Sequence, residues 1–255
     1  MHYHRLFSDK SDLYERSRPT YPKALYKYVA DLCPSTDLAW DSACGNGQAS
    51  IGLVEEFDRV FASDVSAEQI SNSKQHPRVN YSVSTSEKTP LEDQSCDLIC
   101  VAQALHWFDY DQFWPEAKRV LKPNGIFMAL GYNWPSVNNQ IDDAISNTIM
   151  SVIEPYWAPK NQLIWNYYRD INIPFKRIEA PVFEMKVEWN LNEYFNFLHS
   201  FSATRRCMDE IGADFFDTAY ESVAALWSEP TQVKVIDLDF VLYVGRNETE
   251  DNKIS

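Results

Sequence analysis

The chain has 255 residues, 45% of them hydrophobic, which is enough to bury one large core, so one soluble enzyme domain is expected. Its formal charge of −14 repels polyphosphate and argues against DNA or RNA as a partner. Five cysteines (Cys33, Cys44, Cys96, Cys100 and Cys207) form no C-x-x-C pair. No apolar run reaches the length that spans a bilayer, and Met1 to Arg5 lack the apolar core of a signal peptide, so a reducing cytoplasm away from membranes is the expected setting.

In chain order, Leu25, Tyr28, Val29 and Leu32 recur at helical spacing after Pro22 and predict a helix beside a sheet. Leu38 to Ser42 reads as the first strand and runs through Asp41 into Gly45-Asn46-Gly47. Glycines there let the backbone turn tightly and let a ligand sit against peptide groups. The apolar run Ile51 to Val54 predicts a helix whose first N–H groups point back at that ligand. Such a turn alone is weakly specific. Val60 to Asp64 reads as the second strand and ends on an acid, where a carboxylate accepts hydrogen bonds from a ribose diol. Ser66 and Gln69 make a capping box for a helix ending by His76-Pro77.

Tyr81 to Val83, Asp97 to Ala102 and Ile126 to Gly131 read as the third, fourth and fifth strands. Phe113, Ala117, Val120 and Leu121 mark a helix between the last two, stopped by Pro123. Short apolar runs alternating with helices imply a parallel sheet. Beyond Pro135 the chain is rich in Tyr and Trp (Tyr156, Trp157, Trp165, Tyr167, Tyr168). A strand from Phe183 to Trp189, a helical region broken around Ser202 and a long strand from Val233 to Val244 follow. Asn247 to Ser255 reads as a frayed tail.

Five segments give the chain a likeness. Tyr14 to Pro22 resembles a Y-x-x-x-R-P-x-Y-P entry, and Asp41 to Gly47 resembles D-x-G-C-G-x-G. Ala62-Ser63-Asp64 matches an acidic ribose position. Ala102 to Phe108 resembles Q-A-x-H-W-F, and Leu121 to Gly125 resembles L-K-P-G-G. As a set they resemble the class I S-adenosylmethionine-dependent methyltransferases, in the branch of trans-aconitate methyltransferase-like enzymes. Ala43 stands where that pattern has Gly, and a negative φ is expected to accommodate it.

The resemblance implies an α/β, Rossmann-like class I methyltransferase fold, a mostly parallel seven-stranded sheet with an antiparallel last strand plus helical and aromatic lid insertions. It divides a single domain over 1–255 into an N-terminal lid and helix (1–35), a cofactor-binding core (36–135), substrate-covering insertions with the sixth strand (136–232), a final strand (233–246) and a tail (247–255). It implies S-adenosyl-L-methionine as cofactor, held by Tyr14, Arg18, Asp41, Ala43, Gly45, Gly47, Asp64, Val65, Ser86, Glu87, Gln103, Ala104 and Trp107. Arg18 would meet the methionine carboxylate bidentately, and the faces of Tyr14 and Trp107 suit a sulfonium.

Methyl transfer to a small molecule follows as the expected reaction, an in-line displacement in a monomer or homodimer with no metal. His106 has the pKa of a general base, yet equally suits a structural role after the fourth strand. Tyr21, Trp134 and Arg205 are expected at the acceptor. Arg205, Arg206 and Arg169 suit an acidic one, although ion pairs to Asp209 and Glu210 would also explain the first two. Asp41 and Asp64 also suit capping roles, Glu87 a solvated loop, and Trp107 and Phe108 packing. Two other classes share the pattern, a nicotinamide-dependent oxidoreductase and a non-catalytic S-adenosylmethionine-binding protein. For the first, Ser50 stands where the third glycine belongs.

Overall fold

The computed structural model describes residues 19–248. They divide into two compact units. The larger comprises Thr20–Asn133, Gln162–Glu184 and the chain from Phe240, and the smaller is built from Trp134–Asn161 and Met185–Asp239.

In the larger unit, α1 (Lys23–Leu32) follows Pro22, which presets the backbone for its first turn, and buries Leu25, Tyr26, Val29 and Ala30 on one stripe. Then come β1 (Leu38–Ser42), α2 (Gln48–Leu53), β2 (Arg59–Asp64), α3 (Ala67–Ser71) and β3 (Val79–Val83). After them lie β4 (Cys96–Ala102), a one-turn helix at Leu105–Trp107, α4 (Tyr110–Val120) and β5 (Leu121–Ser136). The later elements are α5 (Asn139–Ile145), α6 (Asn161–Trp165), β6 (Lys176–Arg177), β7 (Met185–Trp189), α7 (Leu191–His199), α8 (Ser202–Ile211), α9 (Asp214–Trp227) and β8 (Lys234–Arg246).

Sheet order in the larger unit is β3-β2-β1-β4-β5-β8-β6. The β1–β2, β2–β3, β1–β4 and β4–β5 pairs are parallel. Residues Cys96 to Val101 of β4 are all buried, the pattern of a strand covered on both faces. The core gathers Trp40, Phe61, Phe113, Phe127 and Val241, and Trp40 Nε1 donates to Ser63 Oγ at 2.9 Å, so its one polar atom is satisfied.

In the smaller unit, β7 pairs antiparallel with the Lys234–Leu238 part of β8. Asn190 and Glu193 close a capping box at the start of α7, with hydrogen bonds of 3.1 and 2.9 Å. Its core stacks Tyr194 on Trp227 at 5.6 Å and sets Phe195 edge-on to Phe216.

Three expectations need correction. The helix opened by Ser66, whose hydroxyl accepts from Gln69 N at 3.2 Å, ends at Ser71, well before His76. Ser71 and Ser73 hydroxyls turn back onto the carbonyls of Glu68 and Ile70, which competes with helix continuation. Leu121 leaves α4 with an extended backbone, joins β5 and pairs with Cys96, while Pro123 disfavours helix at Lys122. The mostly parallel sheet forms as expected, and the chain between 176 and 189 adds two short strands, β6 and β7, both antiparallel to β8. Asn247 is tied rather than frayed, exchanging backbone hydrogen bonds with Asn124 and Gly125 at 2.8 and 2.9 Å. Residues 249–255 lie outside the described residues.

Candidate active site

Three residues after β1 take left-handed backbone, Ala43 at φ 55°, Gly45 at 56° and Gly47 at 83°. The negative φ expected of Ala43 is therefore not found. The turn follows one path whether or not a Cβ is present, and the alanine carries the cost. The two glycines are needed for different reasons. A Cβ on Gly47 would overlap Tyr81 Oη, whereas one on Gly45 would meet, among the described residues, only Gln69 Oε1, at 3.9 Å. Gly45 thus presents an open backbone face.

Asp64, at the end of β2, stitches that turn to its neighbour. Its Oδ2 accepts Gly45 N–H at 2.9 Å and its Oδ1 accepts Ser66 N–H at 2.8 Å. Each carboxylate oxygen keeps a further lone pair for an outside donor. Asp41 is fully buried, and its Oδ2 accepts the Ser50 hydroxyl at 2.5 Å. Its Oδ1 has no partner among the described residues. Burial pushes the Asp41 carboxyl up to about 7, opposed by the Ser50 bonds and reinforced by the negative charge of Asp64. A buried carboxylate oxygen lacking a donor, beside an open glycine face, suits a cationic ligand with hydroxyls. That is the chemistry of S-adenosylmethionine, with its ammonium, sulfonium and ribose diol, so the residues present fit it.

Ser86 is buried and hydrogen bonded to Ser42 at 2.8 Å, while Val65 is 69% exposed. Glu87 Oε1 accepts Asp109 N–H at 3.3 Å, which ties its loop to the start of α4. Gln103 has φ 55° and spends its amide on the Tyr132 carbonyl at 3.0 Å. Ala104 is buried. His106 is 3% exposed, its ring 4.7 Å from that of Trp107, which is 46% exposed. Phe108 packs edge-on to Phe113 within the core.

Tyr21 is buried with its ring 6.4 Å from Tyr132, and burial holds its hydroxyl well above the ordinary tyrosine range. In the smaller unit, Trp134 meets Trp157 and Phe201 edge-on at 5.7 and 6.3 Å. Arg205 is exposed on α8 without an ion pair to Asp209 or Glu210 among the described residues. Arg206 Nη1 donates to the Tyr156 carbonyl at 2.9 Å. Tyr14 and Arg18 lie outside the described residues.

Residues 40–129 match a family described as a methyltransferase domain. A Dictyostelium discoideum protein bearing a provisional methyltransferase name is 29% identical over 96% of this chain and 95% of its own. An uncharacterized methyltransferase-like protein of Schizosaccharomyces pombe is 30% identical over 76% of this chain and 66% of its own. A solved structure from Anaeromyxobacter dehalogenans, described as a type II methyltransferase by provisional assignment, superposes with a TM-score of 0.86 at 33% identity. The match covers 91% of this chain and 99% of that one.

Proposed function

Because this chain belongs to the class I S-adenosylmethionine-dependent methyltransferases, we propose that it methylates a small-molecule acceptor by in-line displacement, releasing S-adenosylhomocysteine. The observation that carries the reading is the open Gly45 turn tied by its N–H to Asp64, following a strand whose buried Asp41 has one oxygen without a partner among the described residues. When bound, S-adenosylmethionine supplies an electrophilic methyl group on a sulfonium sulfur. The protein's task is then to hold and align. Asp64 would accept from the ribose hydroxyls with its spare lone pairs. Asp41 would meet the cationic end, and Gly45 would let the ligand lie against the backbone.

Positioning alone, with reacting atoms about 3–3.5 Å apart, supplies several kcal/mol of the acceleration. Within this reading Ala43, Gly47, Val65, Ser86, Glu87, Gln103, Ala104 and Trp107 form the rest of the donor site. His106 is the proton acceptor. Tyr21, Trp134 and Arg205 are assigned to the acceptor, each to be tested separately. The free guanidinium of Arg205 supports an acidic acceptor, as in the trans-aconitate branch, and the charge of −14 disfavours nucleic acid. All five cysteines are free thiols, which supports a cytoplasmic setting. Among the described residues, no helix is long and apolar enough to cross a membrane. A nicotinamide enzyme is disfavoured, because the place of the third glycine is taken by Ser50 and its hydroxyl is committed to Asp41.

The test is calorimetric titration with S-adenosylhomocysteine beside NADH, on the wild type, Asp64→Asn and Asp64→Ala, followed by an acceptor panel scored for S-adenosylhomocysteine release. Micromolar binding lost in both variants, with turnover on a small acid, is the expected result. Binding without turnover across the panel returns the non-catalytic alternative, and preferential NADH binding overturns the reading. An unchanged KM for the acceptor in Arg205→Glu removes Arg205 from the site.

A further inference from the structure

A pocket of about 240 Å³ opens in the larger unit along β8, where Phe240, Leu242 and Val244 alternate onto one face and line it. Val182 and Phe183, from the chain between β6 and β7, line it from another side, and Val182 is 93% exposed. Arg169 and Arg177 complete it. Each guanidinium sits over an aromatic ring. The Arg169 Cζ lies 5.3 Å from the Tyr167 ring centre and the Arg177 Cζ 5.6 Å from that of Tyr243. Neither arginine forms an ion pair among the described residues, and neither does Glu179, the remaining charged residue of the lining.

Two guanidiniums without acidic partners among the described residues, lining one pocket that also has an apolar wall, stand out in a chain with a formal charge of −14. A guanidinium stacked on a ring still offers N–H groups at its edge, the geometry that grips a carboxylate. The backbone beside the pocket is also strained. Tyr167 and Tyr168 hold consecutive left-handed conformations, φ 54° and 57°. For bulky residues this costs about 1–3 kcal/mol each and persists only where the surroundings enforce it. The Tyr168 ring is buried in the core, and the Tyr167 and Tyr168 N–H groups donate to Ile164 and Leu163 carbonyls, both at 2.8 Å. Together these bonds hold Tyr167 beneath Arg169.

The volume is below the ~300–1,000 Å³ of ordinary drug-sized sites, so the occupant is compact. None of the lining residues belongs to the donor site, and β8 stands three places from β1 in the sheet, a span of about 14 Å at the usual strand spacing. We propose that this pocket is a second binding site, for a compact amphipathic monocarboxylate. Its carbon chain lies on Phe240, Leu242 and Val244, and its carboxylate is held by Arg169 and Arg177. Arg169, expected from the sequence near an acidic acceptor, is thereby assigned here instead.

The probe is hexanoate, titrated into the full chain by calorimetry and by saturation-transfer NMR, with 1-hexanol as the uncharged control. Binding with a Kd on the order of 1 mM is expected for so few atoms. The affinity should fall at least tenfold for hexanol and for the Arg169→Gln/Arg177→Gln double variant, and stay within twofold when S-adenosylhomocysteine is saturating. The double variant's melting temperature and its affinity for S-adenosylhomocysteine report whether it is folded. If it is not, Leu242→Asp must abolish hexanoate binding in its place. Absence of hexanoate binding overturns the proposal. So does binding that survives loss of both arginines, that hexanol matches, or that S-adenosylhomocysteine displaces.

Discussion

The Ser50 hydroxyl donates to Asp41 Oδ2 across 2.5 Å inside the core and leaves Oδ1 of the same carboxylate bare. Half of a buried charge is therefore satisfied by the protein and half is left for a ligand. That division makes donor binding proton-linked. The free carboxyl titrates near about 7, and a bound cation favours its ionised form. Affinity for S-adenosylhomocysteine should therefore hold steady above neutrality and fall toward tenfold per pH unit below it. Calorimetry at pH 6 in two buffers of different ionisation enthalpy should detect the released proton, and Asp41→Asn should abolish both effects.

The same group shapes stability in the free protein. Its folded pKa is raised from 3.8 to about 7, so the native state binds the extra proton between those values. Asp41's contribution to stability thus declines as pH rises from about 4 to about 7 and stays low above that. Asp41→Asn should raise the melting temperature at pH 8 by a few degrees and change it little at pH 4. A scan at both values checks the sign.

Ala43 and Gly47 share positive φ, but Ala43 already carries a Cβ, whereas one added at Gly47 would run into Tyr81. Replacing Ala43 by Gly relieves left-handed strain against the entropy of a freer unfolded chain, for a net gain of about 0.5–1 kcal/mol. Gly47→Ala drives a Cβ into the Tyr81 ring and should cost more than 2 kcal/mol, on the scale of overpacking plus strain. Urea midpoints at constant m-value measure both.

Lys122 Nζ reaches Asp97 at 2.8 Å, and Asp97 is fully buried while also accepting from Ser35 Oγ, Asp37 N–H and Leu38 N–H. The network pins β1, β4 and β5 at the ends away from the glycine turn. Lys122→Met leaves a buried carboxylate without its cation and should destabilise by about 1–3 kcal/mol, the backbone donors covering part of the loss. Chemical denaturation should show this with the affinity for S-adenosylhomocysteine unchanged.

His106 is nearly enclosed, so its two readings separate kinetically. As the proton acceptor it should lose about 10²-fold or more in kcat on substitution by Asn, with the Kd for S-adenosylhomocysteine within twofold. A structural histidine would move both together, along with the melting temperature.

The central strands were legible because burial on both faces writes itself as unbroken apolar runs, as in Leu98 to Val101. Asp64 was legible because a strand-end acid has few uses beyond capping and ligand binding. Ala43 was misread because composition reports what a residue prefers, whereas the turn dictates what it must do. The short β6, the early stop of α3 and the return of 162–184 to the larger unit depend on long-range pairing and on serine hydroxyls competing for carbonyls. Neither leaves a periodic trace. The left-handed pair Tyr167 and Tyr168 was equally silent, since two aromatics in a row suggest packing and not strain.

The last strand enters the sheet between β5 and β6, not at its rim. On the ribosome, then, β5 and β6 are both made before the strand that must separate them, and each carries an unmatched edge until β8 has emerged. A nascent chain arrested near residue 233 would hold the whole glycine turn and every parallel strand, yet would still expose an open ladder to its neighbours. Arrival of β8, more than formation of the nucleotide half, is what closes that ladder.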